Sequence, residues 1–254
     1  SSAIYPAGGE MGNLLSRLLD AENLDHHPVT IEGETRENTN IQEKRTGRQF
    51  RFVMPGPELR EEEWRECIDA VTRMEPSGAF VVASGSLPPG VPGDFYATLA
   101  RAVKEADGRL ILDAPGEELD AALEEGVFLI KPNRREFRHL ASREIDSTGD
   151  HQEAAEEIVR EGKAEIVVVS LGAAGAVGAT GSGSFRYHSP PVPLESKVGA
   201  GDSMVAGIVY GLSNDYQTED AVRLGIAAGS AAVITPGTEL CRGEDVFRIY
   251  EKMK

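Results

Sequence analysis

The chain has 254 residues, 40% hydrophobic and 27% charged, which suits one sizeable α/β domain with its own core and excludes a disordered or collagen-like chain. A net charge of −16 excludes a protein that grips nucleic acid through a general basic face, and confines any anionic ligand to a local pocket of oriented amides. The two distant cysteines, Cys67 and Cys241, have no metal or redox spacing, no leader-like start is seen, and no apolar run approaches the ~20 residues of a membrane helix, so a cytoplasmic protein is expected.

In chain order, Met11, Leu14, Leu15, Leu18 and Leu19 recur at helical spacing and predict a helix over 9–22. Short β-rich pieces follow at 29–31, 39–44 (Thr39 to Lys44) and 49–54, with Gly47 in the turn between the last two. They predict a small antiparallel sheet with one polar face. The rhythm changes at Glu61. Helices over 61–73, 93–106, 117–124 and 150–161 precede apolar strands at 79–83, 110–112, 127–130 and 166–169 respectively. Apolar strands separated by helices of about ten residues mean a parallel sheet covered by helices. A Gly-rich hairpin over 174–188 and helices over 203–212, 219–233 and 243–252 complete the chain. The expected fold is α/β: one domain over 1–254 with a mostly parallel, helix-covered central sheet and a small β-sheet lid around 28–54.

Open parallel sheets bind ligands beyond the carboxyl ends of their strands. Here those ends carry Ser84-Gly85-Ser86-Leu87-Pro88-Pro89-Gly90, Asp113, Lys131-Pro132-Asn133 with Glu136 one turn on, and Ser170-Leu171-Gly172 with Gly175. Each alone is explained by turn chemistry; together they predict a polar cleft. The sharpest motif is Val198-Gly199-Ala200-Gly201-Asp202-Ser203 before the apolar run Met204, Val205, Ile208, Val209. Glycines let backbone approach a ligand, and the free amides at a helix start make an anion site. A carboxylate there can take a hydroxyl proton. The plainer alternative is an Asp N-cap after a glycine turn, and spacing alone leaves both open. Asp113 reads equally as a turn cap, Arg36 as a solvated edge charge, and Lys131 with Glu136 as a surface pair. The five histidines show no metal-ligand spacing, and Trp64 reads as packing.

The run Lys197-Val-Gly-Ala-Gly-Asp-Ser-Met204 resembles the signature of the ribokinase-like (PfkB) carbohydrate kinases, in particular their phosphosugar branch and its 6-phosphofructokinase isozyme 2 type. Thr35-Arg36-Glu37-Asn38, Phe50 to Gly56, Ser84 to Gly90, Lys131-Pro-Asn-x-x-Glu136, Val168 to Gly172 and Ala228-Gly-Ser230-Ala-Ala232 follow in family order, so the resemblance covers essentially the whole chain. It implies an ATP-dependent kinase of a sugar phosphate, with transfer to the 1-hydroxyl of fructose 6-phosphate to give fructose 1,6-bisphosphate. Tagatose 6-phosphate or fructose 1-phosphate as acceptor, or a non-catalytic nucleotide or sugar-phosphate sensor, are the alternatives. On that resemblance Asp202 is the base, Gly199, Ala200 and Gly201 form the anion hole, and Arg36 and Ser86 meet the substrate phosphates. Lys131, Asn133, Ser170, Gly172, Gly175 and Ser230 serve the nucleotide, Asn133 and Glu136 serve Mg²⁺, and Ser196, Val198, Ala232, Thr235 and Gly237 match a monovalent-cation (K⁺) site. Glu239 stands where relatives carry a basic residue. Residues 1–9 resemble a stretch some tens of residues into a family member, so a preceding sugar-binding Asp and Gly-Gly…Asn loop are expected to be needed for turnover. A homodimer through the lid, with exposed sheet edges, is also expected.

Overall fold

The structure is a computed structural model that describes every residue except Lys44, Gly47, Ser142, Arg143 and Lys254, and only the backbone of Gln42, Gln49 and Glu117. The expected end of a strand on Lys44 and the turn at Gly47 therefore lie outside the described residues. The chain forms two compact units: residues 1–79 with 86–109, and residues 80–85 with 110–254.

The first unit opens with β1 (Ser2–Ala7), α1 (Gly9–Ala21) and β2 (Asp25–Thr30). β2 runs parallel to β1, with Ser2 opposite Asp25 and Ala7 opposite Thr30. This corrects the sequence reading, which put 29–31 in an antiparallel sheet with the next two strands and missed β1. Pro6 and Pro28 blur the β pattern, because each withholds a ladder donor. β3 (Thr39–Gln42) and β4 (Gln49–Phe52) pair antiparallel as a separate two-stranded sheet. Opposed pairs Thr39–Phe52 and Ile41–Phe50 share one face, while Asn40 and Arg51 share the other. Ile41, Phe50, Phe52, Val53 and Met54 are all exposed. α2 (Glu61–Arg73) and α3 (Phe95–Glu105) bury Trp64, Ile68, Tyr96, Leu99, Ala100 and Val103. The Trp64 ring stands edge-on to Phe95 at 6.1 Å, which bears out its packing role.

The second unit is built on a six-stranded sheet. β5 (Phe80–Ser84), β6 (Arg109–Asp113), β7 (Val127–Ile130), β8 (Ala164–Ser170), β9 (Ala176–Thr180) and β10 (Gly183–Tyr187) lie in the order β10-β9-β8-β7-β6-β5. β6, β7 and β8 are mutually parallel, and β9 and β10 continue antiparallel as the expected hairpin. Ile111, Leu129, Ile166 and Val168 pack against α7 (Ala200–Ser213) and α8 (Thr218–Val233) through Met204, Val205, Ile208, Val222 and Ile226. Alternation puts Leu112, Ile130, Val167 and Val169, also buried, on the opposite face. A sheet covered on both sides needs apolar runs rather than alternation, which is why its strands were readable. α4 (Gly116–Glu125), α5 (Arg134–Leu140), α6 (Thr148–Arg160) and α9 (Gly243–Glu251) complete this unit.

α7 and α8 meet along a seam of glycine. A methyl group on Gly207 would lie 2.8 Å from the Gly225 Cα, and one on Gly225 would lie 2.5 Å from Ile208 Cγ1. On Gly229 it would lie 2.9 Å from the Ala200 carbonyl oxygen, so the seam reaches the first residue of α7. Among the described residues no helix is long and apolar enough to cross a membrane.

Candidate active site

The predicted glycine turn does open a helix. Gly199 is the N-cap of α7 with φ +76°, a left-handed conformation suited to glycine. No side chain caps the helix, and the first inward bond is from Ser203 N–H to the Gly199 carbonyl at 2.8 Å. The amides of Ala200, Gly201 and Asp202 therefore sit in the unsatisfied first turn, at the positive end of the macrodipole. Asp202 is the third residue of the helix and is exposed, so the N-cap alternative fails.

Beside this turn lies a buried ion pair. Lys131, at the end of β7, is 4% exposed, and its Nζ is 3.0 Å from Oδ1 of Asp113 at the end of β6. A methyl group on Gly201 would lie 3.6 Å from Lys131 Nζ and 3.9 Å from Asp113 Oδ2, so the pair faces the amide turn directly. Burial pushes the Asp113 carboxyl above the usual carboxylate range, and the charges of Glu136 and Asp202 add to this. The charge and hydrogen bond of Lys131 pull the other way without cancelling it. Asp202, Glu136, Lys131 and Asp113 thus share one electrostatic neighbourhood. The surface-pair alternative for Lys131 is wrong: its partner is Asp113, which the sequence placed in the cleft, or as a turn cap, without naming a partner for it. The available signal was an acid and a base ending adjacent parallel strands.

Next along the sheet edge, Asn133 and Glu136 form the capping box of α5. Asn133 Oδ1 accepts from the Arg135 and Glu136 amides at 2.9 and 3.0 Å, and Glu136 Oε2 accepts from the Asn133 amide at 2.7 Å. The second carboxylate oxygen of Glu136 has no hydrogen-bond partner among the described residues. A carboxylate and an amide oxygen are hard donors that suit Mg²⁺, which keeps most of its water. No group of three or more His, Cys, Asp or Glu with metal-ligand geometry occurs among the described residues. Ser170 bridges in parallel to Asn133, and its amide donates to the Pro132 carbonyl at 2.9 Å. A single 3₁₀ turn over Gly172–Ala174 then presents Gly172 (φ +62°) to open space and ends at Gly175.

Ser230 lies 5% exposed inside α8, its hydroxyl bonded to the Ile226 carbonyl at 2.8 Å and paired with the Ser189 hydroxyl at 2.9 Å. The five residues matched to the monovalent-cation site converge. Ser196 Oγ donates to the Gly237 carbonyl at 2.6 Å and accepts from the Val198 amide at 3.2 Å. Thr235 Oγ1 lies 2.7 Å from the Ala232 carbonyl and 3.0 Å from that of Glu239. Glu239 thus joins this loop through its backbone oxygen, whatever its side-chain charge.

Arg36 and Ser86 belong to the first unit. Arg36 lies in the connection from β2 to β3 rather than on a strand of the small sheet, as had been expected. It is exposed, with no ion-pair partner among the described residues. A methyl group on Gly56 would lie 3.9 Å from Arg36 Cδ and 3.3 Å from Pro88 Cβ, so the segments carrying Arg36, Gly56 and Ser86–Pro88 come together. Cys67 takes no part in this chemistry: burial pushes its thiol up to about 11, so it is no nucleophile near neutrality.

The profile of the pfkB family carbohydrate kinases matches residues 1–244. The ATP-dependent 6-phosphofructokinase isozyme 2 of Mycobacterium tuberculosis (strain CDC 1551 / Oshkosh) is 44% identical over 251 residues, which span 99% of this chain and 74% of that protein. The crystal structure of phosphofructokinase-2 from Escherichia coli in complex with potassium superposes with a TM-score of 0.95 at 43% identity, covering 99% of this chain and 82% of that one. The complex of that enzyme with fructose-6-phosphate gives a TM-score of 0.93 at 42% identity, covering 99% and 81%. An uncapped glycine turn with an exposed acid, a family match over residues 1–244 and a shared fold lead to one assignment: the chain belongs to the pfkB family of carbohydrate kinases.

Proposed function

We infer that this chain transfers the γ-phosphoryl group of ATP to the 1-hydroxyl of fructose 6-phosphate, forming fructose 1,6-bisphosphate and ADP. The observation that carries this reading is the uncapped start of α7, with the exposed Asp202 carboxylate and Lys131 Nζ beside it. Similarity to proteins named as 6-phosphofructokinases supports the choice of acceptor.

The roles follow from position. Asp202 accepts the proton of the 1-hydroxyl as its oxygen bonds to the γ-phosphorus, while the bond from that phosphorus to the bridging oxygen breaks and ADP leaves. The free amides of Ala200, Gly201 and Asp202, in the turn that Gly199 opens, receive the equatorial oxygens, with fixed dipoles that need no reorganisation. Lys131 adds a cation held in place by Asp113. Ser170, Gly172, Gly175 and Ser230 line the nucleotide, and Arg36 with Ser86 binds the sugar phosphate. Asn133 and Glu136 would hold Mg²⁺, largely through water; bound there, the ion neutralises phosphate charge. Carbonyl oxygens around Ser196, Val198, Ala232, Thr235 and Gly237 would take K⁺. The active form is a homodimer joined through the exposed apolar face of β3 and β4, acting in the cytoplasm.

A coupled ADP-release assay over a panel of phosphorylated ketoses tests this. Fructose 6-phosphate should give the highest kcat/KM, and Asp202→Ala should lower kcat by about 10²- to 10⁴-fold with ATP binding intact. A preference for tagatose 6-phosphate or fructose 1-phosphate moves the acceptor, and ATP binding without turnover on any sugar leaves a sensor.

A further inference from the structure

The segment leading to Arg36 is pinned at almost every residue before it. The Ile31 amide donates to the Ala7 carbonyl at 3.1 Å, and the Thr35 amide to the Gly8 carbonyl at 3.0 Å. In return the Gly8 amide donates to Thr35 Oγ1 at 2.9 Å, and the Met11 amide to Glu34 Oε1 at 2.8 Å. The fit leaves no room at Gly8, where a methyl group would lie 2.0 Å from the Gly33 carbonyl oxygen. All these anchors come from the end of β1, Gly8 and the first turn of α1. A further one comes from α2: the Glu32 amide donates to Glu63 Oε1 at 2.7 Å.

Glu63 is an unusual cap. Its Oε2 accepts from the Arg60 amide at 2.8 Å, the half of a capping box that a glutamate at the third helical position supplies. A box needs no burial, yet Glu63 is only 4% exposed. Its other oxygen points across to the Arg36 segment and is steadied by Arg60 Nη2 at 3.2 Å. Burial opposes ionisation, but the bonds from Arg60 and Glu32 outweigh it and hold the carboxyl below its usual range. It therefore stays charged at neutral pH, when a charged acceptor bonds most strongly. Arg36, four residues past Glu32, is exposed at the end of this pinned segment.

We propose that Glu63 is a positioning residue for substrate binding: it holds the β2–β3 segment through the Glu32 amide and so places the Arg36 guanidinium for the phosphate of the sugar. The inference rests on the role given to Arg36 above. The full chain is assayed as Glu63→Ala, Arg36→Ala and the double variant, with KM taken separately for fructose 6-phosphate and ATP. Glu63→Ala should raise the sugar-phosphate KM by about 10- to 100-fold, leaving the ATP KM within about twofold. It should add nothing further when Arg36 is already Ala. Arg60→Ala, which keeps the Glu32 bond, should lower the Tm without moving either KM. Should Glu63→Ala fail to fold, Glu63→Gln carries the same readout with a smaller rise. Multiplying effects in the double variant, or equal rises in both KM values, overturn the positioning role while leaving Arg36 in place. An unchanged sugar-phosphate KM in Arg36→Ala removes Arg36 and Glu63 together.

Discussion

Lys131→Met isolates the electrostatics of the buried pair. Methionine roughly keeps the volume of the lysine stem, so packing changes little and the carboxylate of Asp113 is left without its cation. Breaking a buried pair typically costs 3–5 kcal/mol, and the residual 16% exposure of the Asp113 side chain places this one near about 3 kcal/mol at pH 8. The cost is pH-dependent, and its sign is set by Asp113. Its folded pKa already lies above the unfolded value, and the variant loses the two influences of Lys131 that lower it. Burial, Glu136 and Asp202 remain, so the pKa climbs further. Where the folded chain holds a proton that the unfolded chain has lost, stability falls as pH rises, by up to about 1.4 kcal/mol per pH unit. The penalty of Lys131→Met should accordingly be small at pH 5 and full at pH 8. Urea unfolding of both proteins from pH 5 to 8 measures it. Adding Asp113→Asn should recover most of the loss at pH 8. A penalty that is flat with pH, or a double variant whose losses simply add, refutes the coupling.

Glu136→Gln keeps an oxygen for the Asn133 amide and so preserves the capping box while removing the charge; the Mg²⁺ concentration for half-maximal rate should rise severalfold with Tm nearly unchanged. An unmoved Mg²⁺ titration takes Glu136 out of metal binding. Gly225→Ala forces a methyl group against Ile208 and the Met204 carbonyl, so it should destabilise the fold by about 1–3 kcal/mol in urea unfolding and lower kcat through α7. Phe52→Asp places a charge on the apolar face of β3 and β4 and should shift sedimentation from dimer to monomer at micromolar concentration; an unaltered profile moves the interface elsewhere.

The second unit was legible because its signals are redundant. Apolar runs such as 127–130 sit between helices with ordinary periodicity, and each strand ends in a polar group that parallel topology sends to one edge. The Gly199–Asp202 turn was readable as local chemistry, since a glycine turn and the helix it opens are neighbours in sequence. What escaped was non-local. Nothing adjacent to Asp113 names Lys131 as its partner, and the link from Glu63 to the Glu32 amide spans 31 residues. β1 and the parallel pairing of β2 escaped because both strands are short, half exposed and interrupted by proline, so alternation had too few residues to speak. The resemblance assigned roles where geometry had yet to be seen, but it could not tell that Arg36 sits on a pinned connection instead of a strand.

The seam between α7 and α8 has a consequence for motion. Two helices whose backbones touch, with Gly229 fitted under the Ala200 carbonyl, cannot slide without collision and so fluctuate as one body. The amide protons in the middle of both helices should be among the slowest in the chain to trade with deuterium, opening only with the whole unit. The three donors at the head of α7, bonded to no carbonyl, should exchange within seconds although they are mounted on that rigid pair. Quick labelling there beside near-complete protection one turn further on would be the spectroscopic mark of a stiff helix with an open end.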